Sequence, residues 1–319
     1  MDFTLMPTIP TSFSVISTRH MRSIMQGIDF LIPVFNQGRS LLRLIDSIES
    51  QCFRNRIDFQ IRIHLDGCTD DTALCLKEVT SKNVLVTSTK NRCGKLQALQ
   101  LLMSERTQSR FDYTAFTDSD ISLGDNSIAA CFHKIKTGKS IVMPKIVPLR
   151  GDSHFFYRWA TICSEAYHRV RCEDDKKGEL WSLSGNFLMG ETQEMGSALL
   201  RIPALIINED AFLGHLFLRE GKYPRYVPTS EVESPIANNL KGFISQKLRV
   251  RRGQSQLERL SIPACELRKR IKEKVRREII QKKDYALFSL YALDEVLFLW
   301  SGLRKNISDR DLVWKRLES

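Results

Sequence analysis

Two aspartates that close an apolar segment are the feature that most constrains this chain. The segment runs from Tyr113 to Thr117 and is aromatic and β-branched, which favours a buried β-strand, and Asp118 and Asp120 follow it directly. Because side chains alternate faces along a strand, both carboxylates point the same way if the strand geometry persists. Such a pair needs a cation between its members, which predicts a divalent metal ion, Mn²⁺ or Mg²⁺. A solvated turn is the alternative, since Asp and Ser also form turns.

Strand-like and helix-like segments alternate along the first 120 residues. Apolar or alternating runs predict strands at 28–36, 61–65, 84–89 and 111–117, and helical spacing predicts helices at 39–51, 72–79 and 96–105. This alternation is typical of an α/β fold with a mostly parallel sheet that helices cover on both faces. Ligands of such folds bind at the carboxyl ends of the strands, where Asn36, Asp66 and Asp118 all lie.

The net charge of +11 lies almost entirely in the last quarter of the chain. Residues 240–319 contain 20 Lys and Arg against 10 Asp and Glu, whereas the rest of the chain contains 28 and 27. A basic region of this kind can contact phosphates, an anionic membrane surface or nucleic acid, and a solvated helical face also explains it. Aromatic residues are not interleaved with the basic run as they are in single-strand binders, so no nucleic-acid partner is expected. The acidic run at 173–175 is interpreted as an exposed loop.

Cysteine usage and hydropathy indicate a cytoplasmic protein. The eight cysteines form no C-x-x-C pair and no zinc-like cluster, which suits reduced structural thiols. Residues 1–26 lack the basic start and apolar core of a signal peptide and are predicted to form a flexible leader. The apolar segment 287–303 is interrupted by two acidic residues and is too short for a membrane span of ~20 residues. A packed helical hairpin and a basic helix at the inner face of a membrane both remain open for this region.

Four short motifs occur in an order that is more specific than any one of them. They are I-P-V-F-N (32–36), L-D-G-C-T-D (65–70), N-R-C-G-K (91–95) and D-S-D (118–120). In this order they resemble the family-2 inverting glycosyltransferases of the GT-A fold, whose usual forms are I-P-x-Y-N, D-D-G-S-T-D, N-x-G-K and D-x-D. The resemblance implies a GT-A catalytic domain over 27–240, followed by a basic, mainly helical extension over 241–319. It also implies transfer of a sugar from a nucleotide-sugar, expected to be a UDP-sugar, to a hydroxyl of a glycan or lipid-linked acceptor.

The same resemblance assigns the donor site to the carboxyl edge of the sheet. Pro33 and Asp66 would lie along the nucleoside, with Asp66 accepting a hydrogen bond from the ring N–H of the base. Lys95 would sit near the base or the diphosphate, and Asp118 and Asp120 would hold the metal. A divalent ion and a lysine would offset the charge that grows on a departing diphosphate. The other donor-binding residues expected are Phe35, Asn36, Ser119, Gly185, Gln246, Arg249 and Arg252.

Glu209 and Asp210 resemble the acidic pair of the family, in which the aspartate is the general base. An inverting transfer needs one carboxylate to accept the proton of the acceptor hydroxyl as its oxygen attacks the anomeric carbon. The resemblance therefore makes Asp210 the general base and gives Glu209 a supporting role. The pair is expected between an apolar strand and an amphipathic helix, and capping of that helix is the alternative explanation for it.

Gln246 and Arg249 resemble the Q-x-x-R-W motif of members that build polysaccharides or glycosylate lipids. Val250 stands where that motif has Trp, so stacking of the acceptor is not implied. Arginines here, Arg252 included, can hold a pyrophosphate bidentately, although surface arginines often have no such duty.

Several motif positions are substituted, which leaves a second function open. Leu65 replaces the first Asp of the D-D pair, Phe35 replaces Tyr and Cys68 replaces Ser. The alternative function is an inactive glycosyltransferase-like protein that binds nucleic acid or an anionic membrane through its basic C-terminal region.

Overall fold

Strands and helices alternate through the first half of the chain, as the hydrophobic pattern predicts. The computed structural model describes residues 25–104, 111–138 and 141–303, so residues 1–24 of the predicted leader and 304–319 of the predicted extension lie outside the described residues. The strands are β1 (Met25–Val34), β2 (Asp58–Asp66), β3 (Val84–Thr89), β4 (Phe111–Thr117), β5 (Ser122–Leu123), β6 (Ile141–Pro148), β7 (Phe187–Glu191) and β8 (Arg225–Ser234). The helices are α1 (Ser40–Arg54), α2 (Thr72–Cys75), α3 (Lys95–Ser104), α4 (Ser127–Lys136), α5 (His154–Lys177), α6 (Thr192–Leu200), α7 (Glu209–Arg219), α8 (Leu240–Arg259), α9 (Ala264–Gln281) and α10 (Phe288–Leu303).

The eight strands of the described residues form one mixed sheet in the order β3-β2-β1-β4-β7-β6-β8-β5. Strands β3, β2, β1 and β4 are parallel, as predicted, and β6 and β8 are also parallel to each other. Strand β7 runs antiparallel between β4 and β6. The predicted α/β fold, with helices on the sheet and further helices at the C-terminal end, is confirmed.

Both faces of the sheet are buried, and this explains the nearly continuous apolar run of β1. Ile28, Phe30 and Ile32 belong to one hydrophobic cluster with α1 and α4, whereas Leu31 packs on the other face with α3, α6 and α7. A strand that is covered on both sides has no reason to alternate apolar and polar residues. The core therefore consists of two layers, one on each side of the sheet.

The antiparallel direction of β7 matters for the position of polar groups. In a parallel set the carboxyl ends of the strands share one edge of the sheet, and Asp118 follows β4 at that edge. Because β7 runs the other way, its amino end lies at the same edge, and Phe187 pairs with Thr117. The amide of Asp118 donates to the carbonyl of Asn186 at 2.9 Å, so the segment before β7 lies directly beside the aspartates.

Two expectations from the sequence are wrong. The apolar segment at 203–208 is an irregular turn instead of a strand, because Pro203 opens it and Leu205 is exposed with no partner strand. The acidic run at 173–175 is the last turn of α5 instead of an exposed loop. Asp174 is buried and accepts a hydrogen bond from Arg270 of α9 at 2.7 Å.

The C-terminal helices pack on α5. Trp159 of α5, Phe243 of α8, and Ile271, Val275 and Ile279 of α9 form one buried cluster. Many basic side chains of α9 also have acidic partners, among them Arg268, Arg270, Lys272, Lys274 and Arg277. The helical nature of the extension is confirmed, and much of its positive charge is engaged in ion pairs inside the protein.

Within the described ranges, no helix combines the length and the apolar run that crossing a bilayer requires. The contact with a membrane surface that the basic helices suggest stays a prediction.

Two neighbouring isoleucines test whether α9 belongs to the folded core. Ile279 is fully buried, whereas Ile280 is 47% exposed. We expect Ile279→Ala to lower the free energy of unfolding by about 2–5 kcal/mol, because it leaves a cavity. Ile280→Ala should change it by less than about 0.5 kcal/mol. Urea denaturation of both variants measures the difference, and equal effects would contradict the packing of α9 on α5.

Candidate functional site

The ammonium group of Lys95 lies at the centre of the polar edge of the sheet. Its Nζ is 2.7 Å from Oδ1 of Asp118 and 3.1 Å from Oε1 of Glu209, and it donates to the carbonyl of Gly185 at 3.2 Å. The side chains of Lys95, Asp118 and Glu209 are only 15–17% exposed. The two carboxylate contacts are ion pairs, and the contact with Gly185 is a hydrogen bond. Lys95 thereby connects the end of β4, the segment before β7 and the first turn of α7.

The loop before Lys95 is held by Asp66, at the end of β2. One carboxylate oxygen of Asp66 accepts from the amide of Cys93 at 2.6 Å, and the other accepts from the amide of Gly94 at 2.9 Å. Asp66 is 1% exposed. Gly67 adds a close approach, because a Cβ on it would lie 2.7 Å from the amide nitrogen of Arg92. The second and third motifs therefore form one unit through Asp66, and the predicted contact of Asp66 with a nucleobase stays a prediction.

Burial and neighbouring charges shift the pKa of Asp118 and that of Lys95. Burial raises the pKa of Asp118 to about 6, and the negative charge of Asp120 adds to the rise although Lys95 opposes it. Burial alone would lower the pKa of Lys95, but Asp118, Glu209 and Asp210 together raise it, so the ammonium stays protonated. The negative charges of Asp118 and Asp120, which follow β4, are thus only partly offset by Lys95.

Asp210 lies beside this cluster in the first turn of α7. Its Oδ2 accepts from the amide of Gly185 at 2.7 Å, and its Oδ1 accepts from the amide of Ala211 at 2.7 Å. Burial raises the pKa of Asp210, and so does the charge of Glu209. A Cβ on Gly185 would lie 2.8 Å from Nζ of Lys95, so only glycine allows both contacts without a shift. The raised pKa makes Asp210 a better proton acceptor than an exposed aspartate.

These groups face a cavity of about 1450 Å³. Small-molecule sites typically measure roughly 300–1,000 Å³, so this cavity has room for two substrates. Of the residues that the sequence predicts for the site, those in its lining are Lys95, Asp118, Asp120, Gly185, Glu209, Asp210, Gln246, Arg249 and Arg252. The lining does not include Pro33, Phe35, Asn36, Asp66 or Ser119.

The residues of the first motif contact the second and third motifs. Asn36 accepts from the amide of Thr69 at 2.8 Å and donates to its hydroxyl at 3.1 Å. The guanidinium of Arg92 lies 3.8 Å from the centre of the Phe35 ring. Pro33 is part of β1, beside β2, and Ser119 is buried. This motif therefore shapes the loops behind the cavity wall.

Sequence reasoning missed two polar residues near the aspartates. Asn186 donates to Ser234 at 2.8 Å and to Oδ2 of Asp118 at 3.4 Å. Arg171 of α5 donates to the carbonyl of Ser182 at 3.0 Å, and the negative charge of Asp210 stabilises its guanidinium. Nothing in the sequence marks an arginine of an amphipathic helix as part of this site. Asn186 lies in the turn of small residues at 184–186, which is a local signal.

Asp118 and Asp120 fit a hard divalent cation. Both offer carboxylate oxygens at the cavity wall, and the charge of Asp120 contributes to the raised pKa of Asp118, which a cation would reverse. The ammonium of Lys95 lies against Oδ1 of Asp118, whereas Oδ2 accepts a long hydrogen bond of 3.4 Å from Asn186.

A second group of possible ligands fits a metal poorly. Among the described residues, ligand atoms of His64, Asp66 and Cys93 lie within 4.8 Å of one another. The ring nitrogens of His64 lie 3.0 and 3.3 Å from the hydroxyls of Thr87 and Thr89, and Asp66 binds loop amides. Burial raises the pKa of Cys93 to about 12, so its thiol keeps its proton. These contacts describe a closed hydrogen-bonded network.

Comparisons with known proteins agree with this arrangement. The family model described as glycosyl transferase family 2 matches residues 29–191, about half of the chain. Among solved structures, the mannosyltransferase PcManGT from Pyrobaculum calidifontis, in complex with GDP-Man and Mn²⁺, is similar with a TM-score of 0.62. The alignment covers 89% of this chain and 88% of that chain at 11% identity, so it shows a shared fold. The comparison with curated protein sequences finds no match.

Removal of the central ammonium tests the electrostatics of the site. We expect Lys95→Met to lower the free energy of unfolding by about 3 kcal/mol at pH 7.5, because it leaves Asp118 and Glu209 unpaired. Without Lys95 the pKa of Asp118 rises above about 6, so Asp118 is neutral at pH 5.5 and the loss should become smaller there.

Urea denaturation of wild type and variant at both pH values measures this difference. Lys90→Met, which removes an exposed lysine of the same loop region, is the control and should show little effect at either pH. A loss that is equal at pH 7.5 and pH 5.5 would contradict the interpretation.

Proposed function

The chain belongs to glycosyl transferase family 2, and we propose that it transfers a sugar, with inversion, from a nucleotide-sugar to a hydroxyl of a glycan or lipid-linked acceptor. The observation that carries this proposal is the meeting of Lys95, Asp118 and Asp210 at one cavity wall. The size of the cavity supports a site that holds donor and acceptor together. The similar mannosyltransferase was solved with GDP-Man and Mn²⁺, which supports a nucleotide-sugar donor and a divalent metal.

The donor side of the site consists of Lys95 and the two aspartates after β4. Asp118 and Asp120 would hold Mn²⁺ or Mg²⁺, which when bound offsets negative charge on the diphosphate leaving group. Lys95 holds Asp118 in place at 2.7 Å and adds a second positive charge on the same side of the cavity. Arg249 and Arg252 of α8 also line this cavity, and guanidinium groups bind phosphates bidentately.

The acceptor side of the site depends on which carboxylate is available as a base. Glu209 forms an ion pair with Lys95 at 3.1 Å, which holds its carboxylate against the ammonium group. Asp210 instead accepts two amide hydrogen bonds, from Gly185 and Ala211, and burial raises its pKa. We therefore assign proton acceptance from the acceptor hydroxyl to Asp210 and support of Lys95 to Glu209.

Asp210→Asn tests the base. The variant keeps the shape of the side chain but cannot accept a proton, so we expect kcat to fall by about 10²–10⁴-fold while donor affinity stays within about twofold. Transfer and donor hydrolysis are measured with a panel of UDP- and GDP-sugars in the presence of Mn²⁺. Asp152→Asn, at an exposed position, is the control and should keep wild-type activity. An Asp210→Asn enzyme with wild-type kcat would refute this assignment.

Asp118→Asn tests the metal site. We expect this variant to lose the part of nucleotide-sugar affinity that depends on Mn²⁺, because one of two ligands loses its charge. Calorimetric titration of the donor with and without EDTA measures that part in both proteins. Wild-type affinity that is the same with and without the chelator would count against metal-dependent binding.

A further inference from the structure

The catalytic pair is preceded by a segment that has no regular secondary structure. Residues 203–208, here called the base loop, lead directly into Glu209 and Asp210 at the start of α7. Ile206 donates to the carbonyl of Pro203 at 3.0 Å within the loop. Because a turn of this kind has no strand or helix ladder, other contacts must fix its position.

The side chain of Gln256 supplies such contacts from α8. Its Nε2 donates to the carbonyl of Leu205 at 2.8 Å, and its Oε1 accepts from the amide of Ile207 at 2.9 Å. One carboxamide thus binds two backbone groups of the base loop, one as donor and one as acceptor, as a neighbouring strand would. Among side chains, only glutamine and asparagine offer an amide N–H beside a carbonyl oxygen as the backbone does, and asparagine is one methylene shorter.

Gly253, one turn earlier on α8, lets the helix approach the same loop. A Cβ on Gly253 would lie 2.3 Å from Oδ1 of Asn208. Glycine inside a helix costs about 1 kcal/mol relative to alanine, so this position lowers helix stability in exchange for a close contact. Leu257 then packs in a small cluster with Ile206 and Phe212. The C-terminal half of α8 therefore contacts the base loop and its surroundings through one face, which contains Gly253, Gln256 and Leu257.

We propose that Gln256 and Gly253 are positioning residues, which set the place of Asp210 by holding the base loop against α8. The inference rests on the proposed function, in which Asp210 is the general base. Displacement of a catalytic group by about 1 Å can lower the rate about 100-fold. A small shift of a loop that ends two residues before Asp210 is therefore enough to lower the rate. The same helix lines the cavity through Gln246, Arg249 and Arg252, so α8 connects the donor side of the cavity to the base loop.

Gln256→Leu tests the hydrogen-bonded contact. We expect kcat to fall by about 10–100-fold with the KM for the donor within twofold, because the base moves and the donor site does not. Hydrogen exchange followed by mass spectrometry should show faster exchange over 203–210, since the amide of Ile207 loses its acceptor. Gln193→Leu, at an exposed glutamine of α6, is the control and should change none of these quantities.

Gly253→Ala tests the close approach, and a second substitution tests its cause. We expect Gly253→Ala to lower kcat by about tenfold or more, because the new methyl group collides with Asn208. Asn208→Ala in the same chain removes the colliding atoms and should restore most of kcat. Gly196→Ala in α6 is the matched control, since a Cβ there meets Met103 only at an ordinary 3.5 Å.

The outcomes separate this inference from the proposed function. An Asp210→Asn enzyme with wild-type kcat would refute the assignment of Asp210 as the base, whatever α8 does. Loss of activity in Asp210→Asn together with wild-type kcat in Gln256→Leu and Gly253→Ala would overturn only the role of α8. A higher KM with unchanged kcat, or failure of Asn208→Ala to restore Gly253→Ala, would overturn it as well.

Discussion

The whole polar edge of this sheet depends on one ammonium group among several carboxylates. Lys95 forms ion pairs with Asp118 and Glu209 and supplies one positive charge, while Asp120 and Asp210 lie close by. Burial raises the pKa of Asp118 and that of Asp210, a neighbouring carboxylate adds to each rise, and the charge of Lys95 offsets only part of it. The edge of the sheet therefore holds several carboxylates around one ammonium group.

The backbone brings these groups together through two kinds of contact. Asp66 ties the loop that bears Lys95 to the end of β2, so the ammonium is presented from a fixed turn. Strand β7 enters antiparallel beside β4, and its preceding turn supplies the carbonyl of Gly185 to Lys95 and an amide to Asp210. The polar groups at this cavity wall thus come from four separate parts of the chain, and the sheet holds those parts side by side.

Much of this arrangement is visible in the sequence, and the exceptions share a cause. The strand before Asp118, the alternation of elements and the pair Glu209 and Asp210 are local patterns, so periodicity and motif order reveal them. The insertion of β7 and the contact between Gly253 and Asn208 join residues far apart in the chain, and composition records no partner for either. The segment 203–208 is apolar like a strand, yet it faces a cavity and a helix. The acidic run at 173–175 is polar like a loop, yet arginines of the later chain neutralise it.

The place of β7 in the sheet also has a consequence for synthesis. When the ribosome has made β1 to β4, the backbone groups along one side of β4 have no neighbour until residues 187–191 arrive, some 70 residues later. Ala115 and Phe116 belong to this strand, and an unpaired apolar strand edge can pair with other chains. The pairing of β7 with β4 therefore completes the polar edge and also covers an exposed edge strand. A nascent or truncated chain that lacks β7 would lack the complete site and would be prone to aggregate.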